Sequence, residues 1–175
     1  MSDDFNIPVP QDELDAKPTF LMPAGWYTTT LQPGTEAVGN DNGWAGVRIP
    51  FAGFTSKADG KTFDRSRNYQ VTTAAAPGPK AEQAVSIGRK QLVEIAVAFG
   101  LAEQTTVDGK PAQRLTATSV EEFIAQLGSV AGSPCDVYVT AKQRKRDGKV
   151  VQRNDATGPV MDNEISRVAP AGQGK

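Results

Sequence analysis

Histidine is absent from the 175 residues, and cysteine occurs once, at Cys135. The first absence removes imidazole acid–base catalysis and the Ser-His and Cys-His nucleophile pairs. The second removes thiolate metal clusters and any internal disulfide. Most familiar hydrolase mechanisms go with them, and a lone thiol fits a reducing compartment. No stretch approaches the ~20 consecutive apolar residues that a bilayer crossing needs, and the first residues are acidic where a secretion signal is basic. The expectation is a soluble cytoplasmic chain with no membrane partner, and no metal or cofactor is expected.

Bases are missing from residues 1–16, which hold Asp3, Asp4, Asp12, Glu13 and Asp15 and leave a net +4 to the rest of a chain whose total is −1. A mildly basic body therefore follows an acidic arm. The arm, taken as residues 1–22, is rich in Pro and acids without a sustained period and reads as flexible. Residues 23–170 have the length of one domain, and 171–175, rich in Gly, read as a flexible tail.

Within the body, residues 25–31 (GWYTTTL) favour a strand through their aromatic and β-branched content, and Gly39-Asn40-Asp41-Asn42-Gly43 marks a turn. From Trp44 to Phe54 the pattern alternates, with Val47, Ile49 and Phe51 on one side and Trp44, Arg48 and Phe54 on the other. Pro50 cannot donate a ladder hydrogen bond and predicts an edge or a bulge. Asp59-Gly60 turns the chain into a third strand over 62–73 that carries Phe63, Arg65, Arg67, Tyr69 and Val71. Helical spacing then takes over from Lys80 to Phe99, where Gly88 is expected to let the helix approach a strand. A second helix starts at Ser119, with Glu122 completing a capping box and Phe123 and Leu127 facing inward.

The most basic stretch is residues 135–154, CDVYVTAKQRKRDGKVVQRN, with six bases and two acids. Its alternation predicts a long β-hairpin turned at Asp147-Gly148, with a return strand over 149–153. Residues 164–168 continue or pair with that strand. Three strands, a helical insertion and two or three more strands define a mainly β chain with helices, an α+β arrangement. An OB-like five-stranded Greek-key barrel with its helical insertion between strands 3 and 4 has this order; an α+β sandwich shares it.

A negative partner is expected for the hairpin. Tyr138 can stack on an unpaired base while Lys142, Arg144, Lys145, Arg146 and Lys149 follow phosphates. Trp44, Arg48 and Phe54 on the second strand, with Arg65, Arg67 and Tyr69 on the third, could line the same groove. Each has a plainer role as well: exposed cations guard strand edges, and aromatics fill cores. Asp59-Gly60-Lys61, Asp108-Gly109-Lys110 and Asp147-Gly148-Lys149 read as turns in preference to a metal-nuclease site. No phosphate-cradling G-x-x-x-x-G-K-[ST] sequence occurs, so nucleotide hydrolysis has no support.

Three short motifs carry a family resemblance. They are Pro23-Ala24-Gly25-Trp26-Tyr27, the Ile87–Leu92 run followed by Phe99-Gly100-Leu101, and Asn163-Glu164-Ile165. Over residues 23–170 the chain resembles small phage-encoded proteins, mostly of unassigned function, often associated with replication and recombination genes. The resemblance implies an OB-like barrel and single-stranded DNA binding without enzymatic activity, in the host cytoplasm. Replication or recombination proteins are the further partners it suggests. It transfers no binding residue. The expected function is thus a non-enzymatic, largely sequence-independent single-stranded DNA-binding protein, with oligomeric state open and a homodimer allowed. The alternative is a virion or assembly protein whose barrel contacts an acidic protein surface.

Overall fold

The computed structural model describes residues 8, 10, 11, 21–152, 159 and 161–175. Most of the acidic arm read over 1–22 lies outside these residues, as does much of the loop after the basic stretch. The order is β1 (Gly25–Leu31), β2 (Glu36–Gly39), β3 (Ala45–Ser56), β4 (Thr62–Ala74), α1 (Ala81–Ala98), β5 (Ala102–Val107), β6 (Lys110–Leu115), α2 (Val120–Ser129), β7 (Pro134–Gln143), β8 (Lys145–Arg146), β9 (Lys149–Val150) and β10 (Met161–Pro170). The fold is α+β, with antiparallel strands and two helices among the described elements.

One six-stranded sheet organises the chain. It runs β10–β7–β1–β3, and β4 takes the far edge of β3. On the near edge, β2 pairs with residues 45–48 of β3, and β1 with residues 51–56. Pro50 falls in the gap between these two partners. Its carbonyl accepts from the Gln32 amide at 2.9 Å, on the β1 side. In an extended strand the amide and carbonyl of one residue face the same edge, so the proline nitrogen faces Gln32, just past the end of β1, and takes nothing from the ladder with β4.

The inner face of the sheet carries the core: Tyr27 and Leu31 from β1, Val47, Ile49 and Phe51 from β3, Tyr69 and Val71 from β4, Cys135, Val137 and Val139 from β7, and Ile165 and Val168 from β10. Met22 belongs to it too, fully buried and clamped by Asn163, whose amide side chain accepts from Met22 N at 2.7 Å and donates to Met22 O at 2.8 Å. The edge strands β4 and β10 approach without a ladder between them among the described residues. The Tyr69 hydroxyl lies 3.5 Å from the Ser166 carbonyl, and α1 packs on both strands. Glu94 of α1 accepts from the Val168 amide at 2.7 Å and from Arg167 Nε at 2.9 Å. The helix thereby blunts the β10 edge, as unpaired strand edges require.

Gly88 is buried in α1, and a Cβ there would overlap the Thr72 carbonyl oxygen of β4. The close helix–strand approach expected from this glycine is observed. At α2, Ser119 Oγ accepts from Glu122 N at 3.1 Å, and the Glu122 carboxylate bonds Thr118 N and Oγ1, one residue before the expected partner. Asp59-Gly60, Asp108-Gly109 and Asp147-Gly148 all form turns. The second closes an unforeseen ribbon, β5–β6.

The long basic hairpin is corrected. The strand that pairs with β7 is β10, from Met161↔Gln143 to Pro170↔Cys135. The return segment after Asp147-Gly148 is the two-residue β9, which pairs with β8 alone in a separate ribbon. No helix among the described residues is long and apolar enough to cross a membrane.

Candidate nucleic-acid interface

Cross-strand neighbours share a face, so register places every candidate side chain. Trp26, Tyr138 and Arg167 are partners across β1, β7 and β10. They form an outer row opposite the core. The indole and phenol rings meet edge-on, with centroids 5.5 Å apart at 76°, and the Arg167 guanidinium carbon lies 6.0 Å from the indole centroid. Trp26 and Tyr138 are half-buried, and Arg167 is exposed. Alternation puts Trp26 and Tyr27 on opposite faces of β1, and one of them in the core. Tyr27 is the core residue, with its hydroxyl donating to Pro23 O at 2.6 Å.

Along β7 the same outer face continues through Thr140 to Lys142, and beyond its end comes Arg144. Lys142 lies 3.1 Å from Glu164, and Arg144 grips Asp162 through two bonds of 2.9 and 2.7 Å. That hydrogen-bonded pairing holds the Asp162 carboxyl below the ordinary range, with the charges of Arg144 and Arg67 adding to it. All four side chains are near half exposed, from 45% to 61%, where ion pairs contribute only ~0–1 kcal/mol. Both cations remain exchangeable onto a phosphate. A cavity of about 480 Å³ lies among Lys142, Arg144, Lys145, Asp162 and Glu164. The β8–β9 ribbon then presents Lys145, Arg146 and Lys149, all exposed.

The other expected residues do not join this stripe. Phe54 is 1% exposed and belongs to the core. Relative to β1, strand β3 carries one extra residue, with Ala52 to Thr55 facing Thr30 to Thr28, at Gly53 with φ +72°; Phe54 turns inward opposite Phe63. Tyr69, 4% exposed, is also core; it faces Ile49, and burial, reinforced by Glu94 and Glu164, pushes its phenol pKa upward. Arg67 pairs with Phe51 and Arg65 shares its side of β4, so both belong to the inner face, at its half-buried margin. Trp44 and Arg48 lie at the opposite end of the outer surface. The Trp44 indole covers Gly46 and donates to Thr72 Oγ1 at 3.1 Å, while Arg48 pairs with Glu36 at 2.7 Å. The single groove expected to hold all twelve residues is therefore divided.

Beneath Trp26 lies a buried carboxylate that no local sequence signal marks. Asp136 is fully buried and accepts from the Lys57 ammonium, from the Gly174 amide at 2.9 Å and from Thr28 Oγ1 at 3.2 Å. Burial alone would raise its pKa. The Lys57 bond and charge, the Gly174 amide and the Thr28 hydroxyl together outweigh burial and hold it below the ordinary range. The segment 171–175, read as a flexible tail, is docked here, because a Cβ at Gly174 would collide with the Trp26 ring and with Asp136. Beside Asp136 on the inner face, burial, with a smaller effect from Asp136, pushes the Cys135 thiol up to about 12. It carries no accessible thiolate chemistry.

No protein-family model matches the chain, and no curated protein matches it in sequence.

Proposed function

We propose that the protein binds single-stranded DNA without enzymatic activity and largely without regard to sequence, in phage DNA replication or recombination. One observation carries the reading. The half-buried aromatic row Trp26–Tyr138, with Arg167 beside it, leads along one face of β7 into Lys142, Arg144 and the exposed cations of the β8–β9 ribbon. Rings that offer a π surface beside a line of cations are what an unpaired, flexible strand requires, whereas duplex would present phosphates alone. From Tyr138 to Arg144 is ~20 Å of extended chain, and with the ribbon this suits a site within the ~4–16 nucleotides of one OB domain.

The strand order supports the finer OB-like reading. Taken as β1, β3, β4, β7 and β10, the five main strands follow OB order, with β4 and β10 as the pair whose approach would close the barrel. α1, the β5–β6 ribbon and α2 form the insertion between the third and fourth. The β8–β9 ribbon lies in the connection between the fourth and fifth, one of the two connections that flank ligands in OB domains.

Fluorescence anisotropy with labelled single-stranded DNA, duplex and RNA tests the reading. Salt-sensitive binding to single strand at micromolar protein, weaker on duplex, is expected. Its absence at low salt would remove the proposal and favour the protein-interaction alternative.

A further inference from the structure

A second cavity, of about 430 Å³, opens between β3, β4, α1, β6 and α2 and shares no residue with the basic stripe. Its floor is core: Val47, Leu92 and Phe123. Its polar rim consists of threonine and serine hydroxyls and one charged side chain, Arg89, and no carboxylate lines it. Arg89 is exposed and has no ion pair among the described residues. Arg48, Arg114, Arg144 and Arg167, by contrast, each face a carboxylate.

The walls are fixed. Gly88 brings the backbone of α1 against Thr72, which sets Arg89 at the rim and Leu92 one turn deeper. Thr72 is itself held by the Trp44 indole, and α2 is anchored by the Ser119–Glu122–Thr118 cap. An apolar cavity of this size built from five elements suits a compact ligand better than an extended chain laid along one face.

We propose that this cavity binds a small apolar carboxylate, a chain or ring system of roughly a dozen non-hydrogen atoms, the size for a pocket at the small end of the usual range. Its apolar body fills the space above Leu92 and Phe123, and its single negative group pairs with Arg89. Charge selects the ligand class. A neutral body of the same shape leaves Arg89 unpaired, and a cationic one is repelled.

The test uses the full chain with methyl NMR and titration calorimetry. The probes are decanoate, decanol and decyltrimethylammonium, each below its micelle concentration. Saturable decanoate binding with shifts at Leu92 and Val85 is expected, with decanol weaker and the cation not bound. Arg89→Gln should lower decanoate affinity about tenfold, the loss of one charge-assisted bond, with Arg89→Lys partly restoring it. The exposed Arg89 is not part of the core, so an unchanged urea midpoint should accompany the loss. Equal binding of decanoate and decanol, no effect of Arg89→Gln, shifts confined to other surfaces, or no saturable decanoate binding at millimolar concentration would each overturn the proposal. The last result would leave the cavity to an apolar anchor of a protein partner.

Discussion

The indole of Trp26 stands edge-on to the phenol of Tyr138, 5.5 Å between centroids, because β1 and β7 place the two residues opposite each other. The contact orients both rings on the outer surface while their neighbours Tyr27 and Val137 enter the core. A base that stacks here meets a platform already held in place. Tyr138→Ala should weaken single-strand binding by ~1–3 kcal/mol, the usual worth of one stacked base. Phe54→Ala should instead cost ~3–5 kcal/mol of stability, as the loss of a core aromatic does. Anisotropy titrations and urea melts of the two variants separate the roles; reversed outcomes would return Phe54 to the surface.

The ribbon supplies charge. Replacing Lys145, Arg146 and Lys149 with Gln should flatten the plot of log affinity against log salt by about 2, at ~0.7 per single-strand phosphate contact. Asp162→Asn should act in the opposite direction, because it frees Arg144 from its present partner. Affinity measured between low and moderate salt reads both effects.

Gly88→Ala should destabilise the fold by ~1–3 kcal/mol or more, the range for overpacking a close contact. The added methyl has only the Thr72 backbone to displace. A fall in urea midpoint at unchanged slope is the expected signature; an unchanged midpoint would mean that α1 shifts freely over β4.

Acid should loosen the Lys57–Asp136 centre. Asp136 has a depressed carboxyl pKa in the folded protein, so its contribution is fully present above the unfolded value of ~3.9 and is lost as pH falls through the folded value. Removing one member of a buried pair strands the other. Asp136→Ala should therefore cost ~3–5 kcal/mol, towards the lower end because the Lys57 side chain keeps 27% exposure. Melts from pH 7 to pH 2 should show a smaller acid-dependent loss in Asp136→Asn than in the parent chain.

Cys135 should stay unreactive toward a thiol reagent at pH 8 in the native protein and react fully in denaturant. Its thiol is completely buried and its pKa is pushed up to about 12. Rapid native labelling would contradict the burial.

Local signals carried much of this fold. The Ser119 cap and the Asp-Gly turns each announce themselves within a few residues, because their causes are local. The misplaced residues have non-local or one-residue causes. Alternation puts Phe54 outward because it cannot see the extra residue that β3 carries around Gly53 relative to β1. Tyr69 follows Arg65 and Arg67 on one face, and two cations there disguised an inner face that is buried only from Tyr69 onward. Trp26 owes its place on the outer face to Tyr138, a partner 112 positions away. Asp136 sits in an outward-facing position of β7, and what buries it is Lys57 and the backbone of Gly174, neither near it in sequence.

The central strand β1 has consequences for the order of assembly. It is bonded to β3 a few dozen residues downstream and to β7 more than a hundred residues downstream. During synthesis, one edge of β1 stays open until residues 134–139 have been made, and such distant pairings fold slowly because a long loop must close first. Any β1–β3–β4 pairing formed before then exposes a bare central edge, onto which another copy could pair in place of β7. In the native fold β7 covers that edge over Gly25–Thr30.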